Sequence, residues 1–339
     1  MNINFIIVLL YLLIYLKFGI LLLFIPFSVI FFFFPANIKF IFAIKNIVAS
    51  SLSFIIKSFM GINVNVNSLK LFNELTSNSK GKNIIISNHL TELDPTLITL
   101  IFNDIDYFYS KINYLSKKLI GFLVPSVGIL GIYTGDIYLD RQINLDKNKL
   151  SIKVNSNYLM LYPEGTCFTK EKKFKSDEYC KKNKLPIFKY HLYPRVSGLK
   201  LILENNTDVH WIYDLTFVYD TISKKKYGPC YEFLSFISKY KFPKKIFIKI
   251  KKYRINKNDN INKKIENIYI EKDEFINNFD INNNDFIPIK YDHYKGLIKF
   301  IIISIFSLSS IYLFYKYKFY KYLCLSEMIY FYIYFYFYG

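Results

Sequence analysis

Apolar residues run almost unbroken from Phe5 to Phe34, interrupted by Lys17, Gly19, Pro26 and Ser28. A bilayer-crossing helix needs about 20 apolar residues, so this run can hold one tilted span or a tight re-entrant pair. No basic residue precedes Phe5 and no small-residue cleavage site follows, which predicts an uncleaved anchor over residues 1–37 rather than a signal peptide. From Ile38 to Met60 the apolar Phe40, Ile41, Ile44, Ile47 and Val48 are mixed with Lys39, Lys45 and Lys57. That pattern suits a helix lying in the interface with its lysines at the headgroups. A core helix of a soluble part has the same pattern. Residues 38–82 are therefore read as interfacial helix and linker. A second apolar run, Leu297–Phe314, is long enough to span, and residues 291–339 are read as C-terminal membrane segments. Its Tyr- and Phe-rich tail suits the headgroup level better than the bilayer centre. Lysines flanking the central region place residues 38–296 on the cytosolic side. Lys316, Lys318 and Lys321 leave the number of spans at this end open.

Between these ends the pattern changes. Asn83–Ser87 is a short run rich in β-branched residues, which predicts a buried strand. Asp94-Pro95 reads as an N-cap followed by proline at the first helical position, opening a helix over Thr96–Phe102. Further strands are predicted at Ile137–Leu139, Tyr158–Tyr162, Trp211–Tyr219 and Ile246–Ile250, with helices at Ser197–Glu204 and Asn262–Phe279. The alternation predicts an α/β fold, a mostly parallel or mixed sheet covered by helices, flanked by N- and C-terminal membrane helices. The domain is bounded at residues 83–290.

Composition sharpens this only in part. The 339 residues are 52% hydrophobic and carry a net charge of +19, with a mean hydropathy of +0.18. Such a chain is no disordered solvating protein. Of the 45 basic residues only Arg141, Arg195 and Arg254 are arginines. Lys, Asn, Ile, Phe and Tyr are abundant, as in proteins of A+T-rich genomes, so the charge alone is a poor argument for nucleic acid, and no binding motif supports one. The four cysteines, 167, 180, 230 and 324, show neither a C-x-x-C pair nor zinc-like spacing.

Four constellations carry possible chemistry. Asn88-His-Leu-Thr-Glu-Leu-Asp94 puts His89 at the end of a strand and Asp94 at the start of a helix, the edge where open α/β sheets place their sites. A histidine steered by a carboxylate can serve as general base, although a helix cap and a polar strand end would look the same. Asp136-Ile-Tyr-Leu-Asp-Arg141 ends in an arginine where lysine was the default, which suits bidentate phosphate recognition or an ion pair with Asp140 or Asp146. In Leu161-Tyr-Pro-Glu-Gly-Thr166, Gly165 would let the backbone approach a ligand, and Glu164 and Thr166 could bond a polyol or phosphate. Tyr193-Pro-Arg-Val-Ser-Gly-Leu199 sets Arg195 before a helix start, a natural anion site. There is no Walker loop, G-x-S-x-G, G-x-G-x-x-G or H-E-x-x-H, and the histidines lack metal-like spacing. Cys167, directly after Thr166, has the chemistry of a nucleophile or acyl carrier, but no base motif lies beside it in the sequence and that reading is set aside.

Taken in order, H-x4-D from His89 to Asp94, Arg141 after a strand, Pro163-Glu-Gly-Thr166 and the later Pro194 resemble the blocks of the glycerolipid acyltransferase family. The extended segments Tyr162–Thr166, His191–Gly198 and Tyr213–Tyr219 resemble its lysocardiolipin and multi-span 1-acylglycerol-3-phosphate acyltransferase branch. The chain departs from that branch at Pro95, where an aromatic is common, and at Cys167, where many members carry a basic residue. The resemblance implies transfer of an acyl chain from acyl-CoA to a lysophospholipid hydroxyl, lysophosphatidic acid or a lysocardiolipin-like acceptor. His89 and Asp94 would be catalytic, and Arg141, Glu164, Gly165, Thr166 and Arg195 would bind substrate. It implies no metal, no cofactor beyond acyl-CoA as co-substrate, and an integral protein of the endoplasmic reticulum with its domain facing the cytosol. Glycerol 3-phosphate is the alternative acceptor. A transporter or membrane scaffold without catalysis is the alternative of another class, and it would require further spans within residues 83–275.

Overall fold

A computed structural model describes residues 61–76, 82–91, 112–119, 134–151, 157–220 and 243–322, with gaps at 257, 283–284 and 291–292 and isolated positions elsewhere. The expected N-terminal anchor lies outside the described residues, as do nearly all of the interfacial stretch 38–60 and most of the helix expected over Thr96–Phe102. The chain divides into two compact units, one of residues 60–112 and 150–291, the other of 1–59, 113–149 and 292–339.

The first of these contains strands β1 (Asn63–Val66), β2 (Lys82–Ser87), β5 (Tyr158–Leu161), β6 (Val209–Tyr219), β7 (Lys245–Arg254) and β8 (Ile287–Pro288). Strand β2 runs parallel to β5 on one side and to β6 on the other. Strand β7 is antiparallel to β6, β1 is parallel to β7, and β8 closes on β1 antiparallel. The expected α/β fold is present, and its sheet is mixed. Successive strand residues point to opposite faces, yet Ile84, Ile85 and Ile86 are all fully buried. Both faces of β2 are therefore covered, which explains a continuous apolar run rather than an alternating one. Helices α1 (Leu69–Thr76), α3 (Lys170–Asn183), α4 (Ser197–Asn205) and α5 (Ile261–Asn278) complete the unit. Helix α1 lies against β7 and α5 against β6. Helix α3 starts where the Thr169 hydroxyl accepts from Lys172 N at 3.2 Å, and α5 starts in the same way on Asn260. The sheet already begins at Asn63, inside the stretch read as interfacial helix and linker: Val64 and Val66 alternate inward and pair with Ile246 and Ile248.

The other unit holds β3 (Ile112–Lys117) and β4 (Ile137–Leu139), paired parallel with Leu115 opposite Ile137. The Asn113 amide donates to Thr134 O at 2.7 Å and Asp136 accepts from Tyr114 N at 3.0 Å, which fixes the turn entering β4. Helix α2 (Ile143–Leu150) follows, with Asp146 accepting from Asp140 N at 2.8 Å. Helix α6 (His293–Lys316) contains the second apolar run and exposes Ile301, Ile305 and Leu308. Among the described residues no helix is long and apolar enough to cross a membrane.

Candidate active site

The site grows from the end of β2. Backbone pairing with β6 ends at Ser87, and the Asn88 side chain continues it: its amide nitrogen donates to Phe217 O at 3.0 Å and its oxygen accepts from Phe217 N at 2.8 Å. This side-chain rung pins the chain just before His89. The next anchor is Glu164, which is buried and accepts from His89 N at 3.0 Å and from Leu192 N at 3.2 Å. His89 O in turn accepts from Phe168 N at 2.9 Å. Three loops, after β2, after β5 and before α4, are thereby tied to one another around the histidine.

The imidazole itself is held on three sides. Its Nδ1 lies 3.0 Å from Asp94 Oδ2, its face stacks on Tyr162 at 4.3 Å between centroids, and its Nε2 lies 3.5 Å from Cys167 Sγ. The ring keeps 15% exposure while Asp94 has none. Asp94 is fully engaged: Oδ2 also accepts from Thr91 N at 2.9 Å, and Oδ1 accepts from the hydroxyls of Thr91 at 3.0 Å and Tyr219 at 2.5 Å. A carboxylate can accept about four hydrogen bonds, so this burial is compensated. Burial drives the Tyr219 phenol well above its ordinary range, aided by the neighbouring Asp94 charge, and keeps it a donor. Burial opposes charging of His89, but the hydrogen bonds to Asp94 and then Cys167 outweigh it and raise its pKa from 6.5 to about 10.

A cationic rim lies beside this ring. Gly165 turns with a φ of +70°, a conformation that suits glycine, and a Cβ there would sit 3.6 Å from Arg195 Cδ. Arg195 N donates to Pro163 O at 2.7 Å, which lays the exposed arginine along the turn. The Lys172 ammonium donates to the Thr166 hydroxyl at 2.7 Å and to Cys167 O at 3.4 Å. A basic residue is missing directly after Glu-Gly-Thr, and the first turn of α3 supplies the cation instead.

Of the residues singled out from sequence, His89, Asp94, Glu164, Gly165, Thr166 and Arg195 come together here. Glu164 does so as a buried acceptor of backbone N–H groups, not as an exposed contact for a ligand. Arg141 belongs to the other compact unit, exposed on the bend after β4 with a φ of +64°. Sequence reasoning missed Lys172, the Asn88 rung, the Tyr219 hydroxyl on Asp94, and the proximity of Cys167 to a base 78 positions away. Thr169, a good N-cap, was the available signal for α3 and hence for Lys172. Among the described residues no cluster of His, Cys, Asp and Glu could hold a metal ion.

Behind the site stands a second buried polar group. The Lys272 ammonium pairs with Asp214 Oδ1 at 2.5 Å and donates to Leu215 O at 3.0 Å. Burial raises the Asp214 carboxyl, and the Lys272 charge opposes the rise. His191 is 1% exposed, lies edge-on to Tyr269, and has Nδ1 3.7 Å from Glu164 Oε1, too long for a hydrogen bond.

Residues 64–198 match the family model described as Acyltransferase. The chain is 29% identical over 146 residues to lysophosphatidylinositol acyltransferase 10 of Caenorhabditis elegans, covering 40% of this chain and 37% of that protein. It is 27% identical over 148 residues to lysocardiolipin acyltransferase 1 of Danio rerio, covering 41% and 38%. It is 27% identical over 210 residues to the probable 1-acyl-sn-glycerol-3-phosphate acyltransferase 5 of Arabidopsis thaliana, covering 58% and 53%. The matched region thus spans between a third and about half of these relatives. Among solved structures, the 1-acyl-sn-glycerophosphate acyltransferase PlsC of Thermotoga maritima aligns with a TM-score of 0.47 at 14% identity, over 81% of this chain and 95% of that one.

Proposed function

We propose, starting from the acyltransferase-family domain that residues 64–198 of this chain carry, that the protein transfers an acyl chain from acyl-CoA to the hydroxyl of a lysophospholipid at a membrane surface. One observation carries this reading: the His89 imidazole, bound through Nδ1 to a buried, fully engaged Asp94, presents Nε2 towards the Glu-Gly-Thr turn.

In the reaction, Nε2 takes the proton of the acceptor hydroxyl as its oxygen attacks the acyl carbonyl. Asp94 fixes the ring orientation and balances the imidazolium charge. General-base help of this kind is typically worth about 10²–10⁴-fold in rate. The cations of Lys172 and Arg195, together with the Thr166 hydroxyl that Lys172 bonds, suit a phosphate. Holding it would fix the acceptor glycerol relative to Nε2, the positioning contribution to rate. Glu164 acts at one remove, by holding the backbone on which His89 is mounted.

Both acyl-bearing substrates reside in lipid, and the two apolar ends of the chain would keep the site at the bilayer. The exposed Ile301, Ile305 and Leu308 of α6 support lipid contact at the C-terminal end. The flanking lysines favour a domain facing the cytosol, and the endoplasmic reticulum is the membrane we assign. The names of the relatives favour a lysophospholipid over free glycerol 3-phosphate as acceptor.

The test is a panel of acceptors with one labelled acyl-CoA and the purified full-length protein. Lysophosphatidic acid, lysophosphatidylinositol, lysocardiolipin and glycerol 3-phosphate are compared. The expected result is label in at least one lysophospholipid. Label in glycerol 3-phosphate alone, or in none, contradicts the reading.

A further inference from the structure

Helix α3 does more than carry Lys172 to the Thr166 hydroxyl. Its inner side is anchored: Ser176 Oγ accepts from Tyr193 N at 2.9 Å, and Cys180 is buried. Its outer side exposes Phe174 at 64% and Tyr179 at 55%, the most open large apolar side chains among the described residues of the unit that holds His89. Ile187, in the turn after the helix, is exposed as well. Residues three, four and seven apart share a helix face, and each aromatic therefore falls between lysines. Lys170, Phe174 and Lys181 form one stripe, and Lys175, Tyr179 and Lys182 form the next. With Lys184, the exposed face carries five lysines against Glu171 and Glu178. Lys172 stands two turns before Tyr179 on the same side, so this face runs up to the cationic rim of the site.

Lysine is common throughout this chain, so lysines alone decide little. Two aromatic rings left open between them decide more, because rings of this size gain most from leaving water. Aromatic rings at headgroup depth, with lysines on the lipid phosphates, suit a protein face resting on an anionic bilayer. We infer that the exposed face of α3 docks on an anionic lipid bilayer, with Phe174 and Tyr179 at headgroup depth and Lys170, Lys175, Lys181 and Lys182 on lipid phosphates. Glu171 and Glu178 on the same face keep the helix out of the hydrocarbon, so the contact stops at the headgroups.

This contact orients the catalytic unit, where an apolar anchor only tethers it. Docked on α3, the unit holds Lys172 near the depth at which a lysophospholipid carries its phosphate. The acceptor is then met at headgroup level, beside the turn that faces His89. That consequence rests on the acyl-transfer reading, whereas the docking itself does not. Because docking governs how substrate is presented, it acts on KM and leaves the proton transfer at His89 unchanged.

The experiment reconstitutes full-length protein in vesicles of phosphatidylcholine and phosphatidylglycerol with acyl chains brominated near the headgroup, and reads tryptophan fluorescence. Wild type, whose sole Trp211 lies on β6, sets the baseline. Phe174→Trp and Tyr179→Trp should each add a blue-shifted emission that bromolipid quenches, and quenching should weaken in phosphatidylcholine alone. Added emission like that of tryptophan in water, left unquenched, would overturn the inference. A blue-shifted emission that bromolipid does not quench would overturn it too, because a protein partner or a second copy then covers the face. Equal quenching in both vesicles would overturn the assignment to an anionic surface. Transfer supplies the second measurement. Phe174→Ser combined with Lys181→Glu and Lys182→Glu should raise KM for lysophospholipid in anionic vesicles by about 10-fold, with the rate on a short-chain, water-soluble lysophospholipid within about twofold of wild type. An equal loss on both substrates would contradict a role in docking. Quenched emission in a protein that acylates no lysophospholipid would instead sink the acyl-transfer reading and keep the docking.

Discussion

Asp94 and Asp214 are both aspartates buried at the heart of the same unit, and they solve the burial problem in opposite ways. Asp94 is compensated by neutral donors, two from Thr91 and one from Tyr219, plus one imidazole. Asp214 is compensated chiefly by the full charge of Lys272. The first arrangement leaves its imidazole partner, His89, partly exposed at 15%, whereas Lys272 is 1% exposed. A buried carboxylate satisfied by hydroxyls and backbone can lend its charge to a group that meets substrate. A carboxylate locked to a sealed ammonium can only hold the fold together. Buried ion pairs are therefore poor markers of an active site unless one partner reaches the open.

Replacing each aspartate tests that contrast most severely. Asp94→Asn keeps the shape and weakens the grip on His89, so transfer should fall by about 10²–10⁴-fold with expression and fold retained. The same variant carries a pH signature. The pKa of His89 is raised from 6.5 to about 10. The resulting stabilisation is fully present below pH 6.5 and lost as pH rises through about 10. In Asp94→Asn this loss on the alkaline side should flatten, as thermal melts across pH would show. Lys272→Met instead leaves Asp214 buried and alone, at a cost of about 3–5 kcal/mol in stability, read as a lowered melting temperature. Adding Asp214→Asn should recover most of that loss. If Lys272→Met melts like wild type, the sealed pair is not structural.

Smaller effects sharpen the boundary between the two regions. Glu164→Gln turns one of two acceptor oxygens into a donor facing a backbone N–H, worth about 1–3 kcal/mol. It should lower both stability and turnover, because Glu164 serves the fold and His89 together. Tyr219→Phe removes one of the four donors around Asp94, at about 1 kcal/mol. With less competition for the carboxylate, the His89 titration seen by NMR should move further upward.

Much of this frame was readable in the sequence. The runs at Asn83, Tyr158, Trp211 and Ile246 lie within one residue or two of the observed strand starts, because a strand buried on both faces must be continuously apolar. His89, Asp94 and the Glu-Gly-Thr turn were legible because sheet-edge chemistry sits in short local motifs. Strand β1 was not, since Asn63-Val-Asn-Val66 is four residues long and takes its meaning from β7, about 180 positions later. Lys172 was hidden for a related reason. In the linear chain a cation is expected next to Thr166, whereas the first helical turn beyond the Thr169 cap brings Lys172 back to that hydroxyl. Glu164 was assigned to ligand because exposure and burial of a carboxylate look identical in one dimension.

The central claim is that His89, steered by Asp94, is the group on which acyl transfer turns. Its most direct test is the transfer rate of purified His89→Ala with labelled acyl-CoA and the best lysophospholipid from the panel, in protein shown to be folded and membrane-bound. Activity at or near background is the expected result. Near-normal transfer by that variant would contradict it.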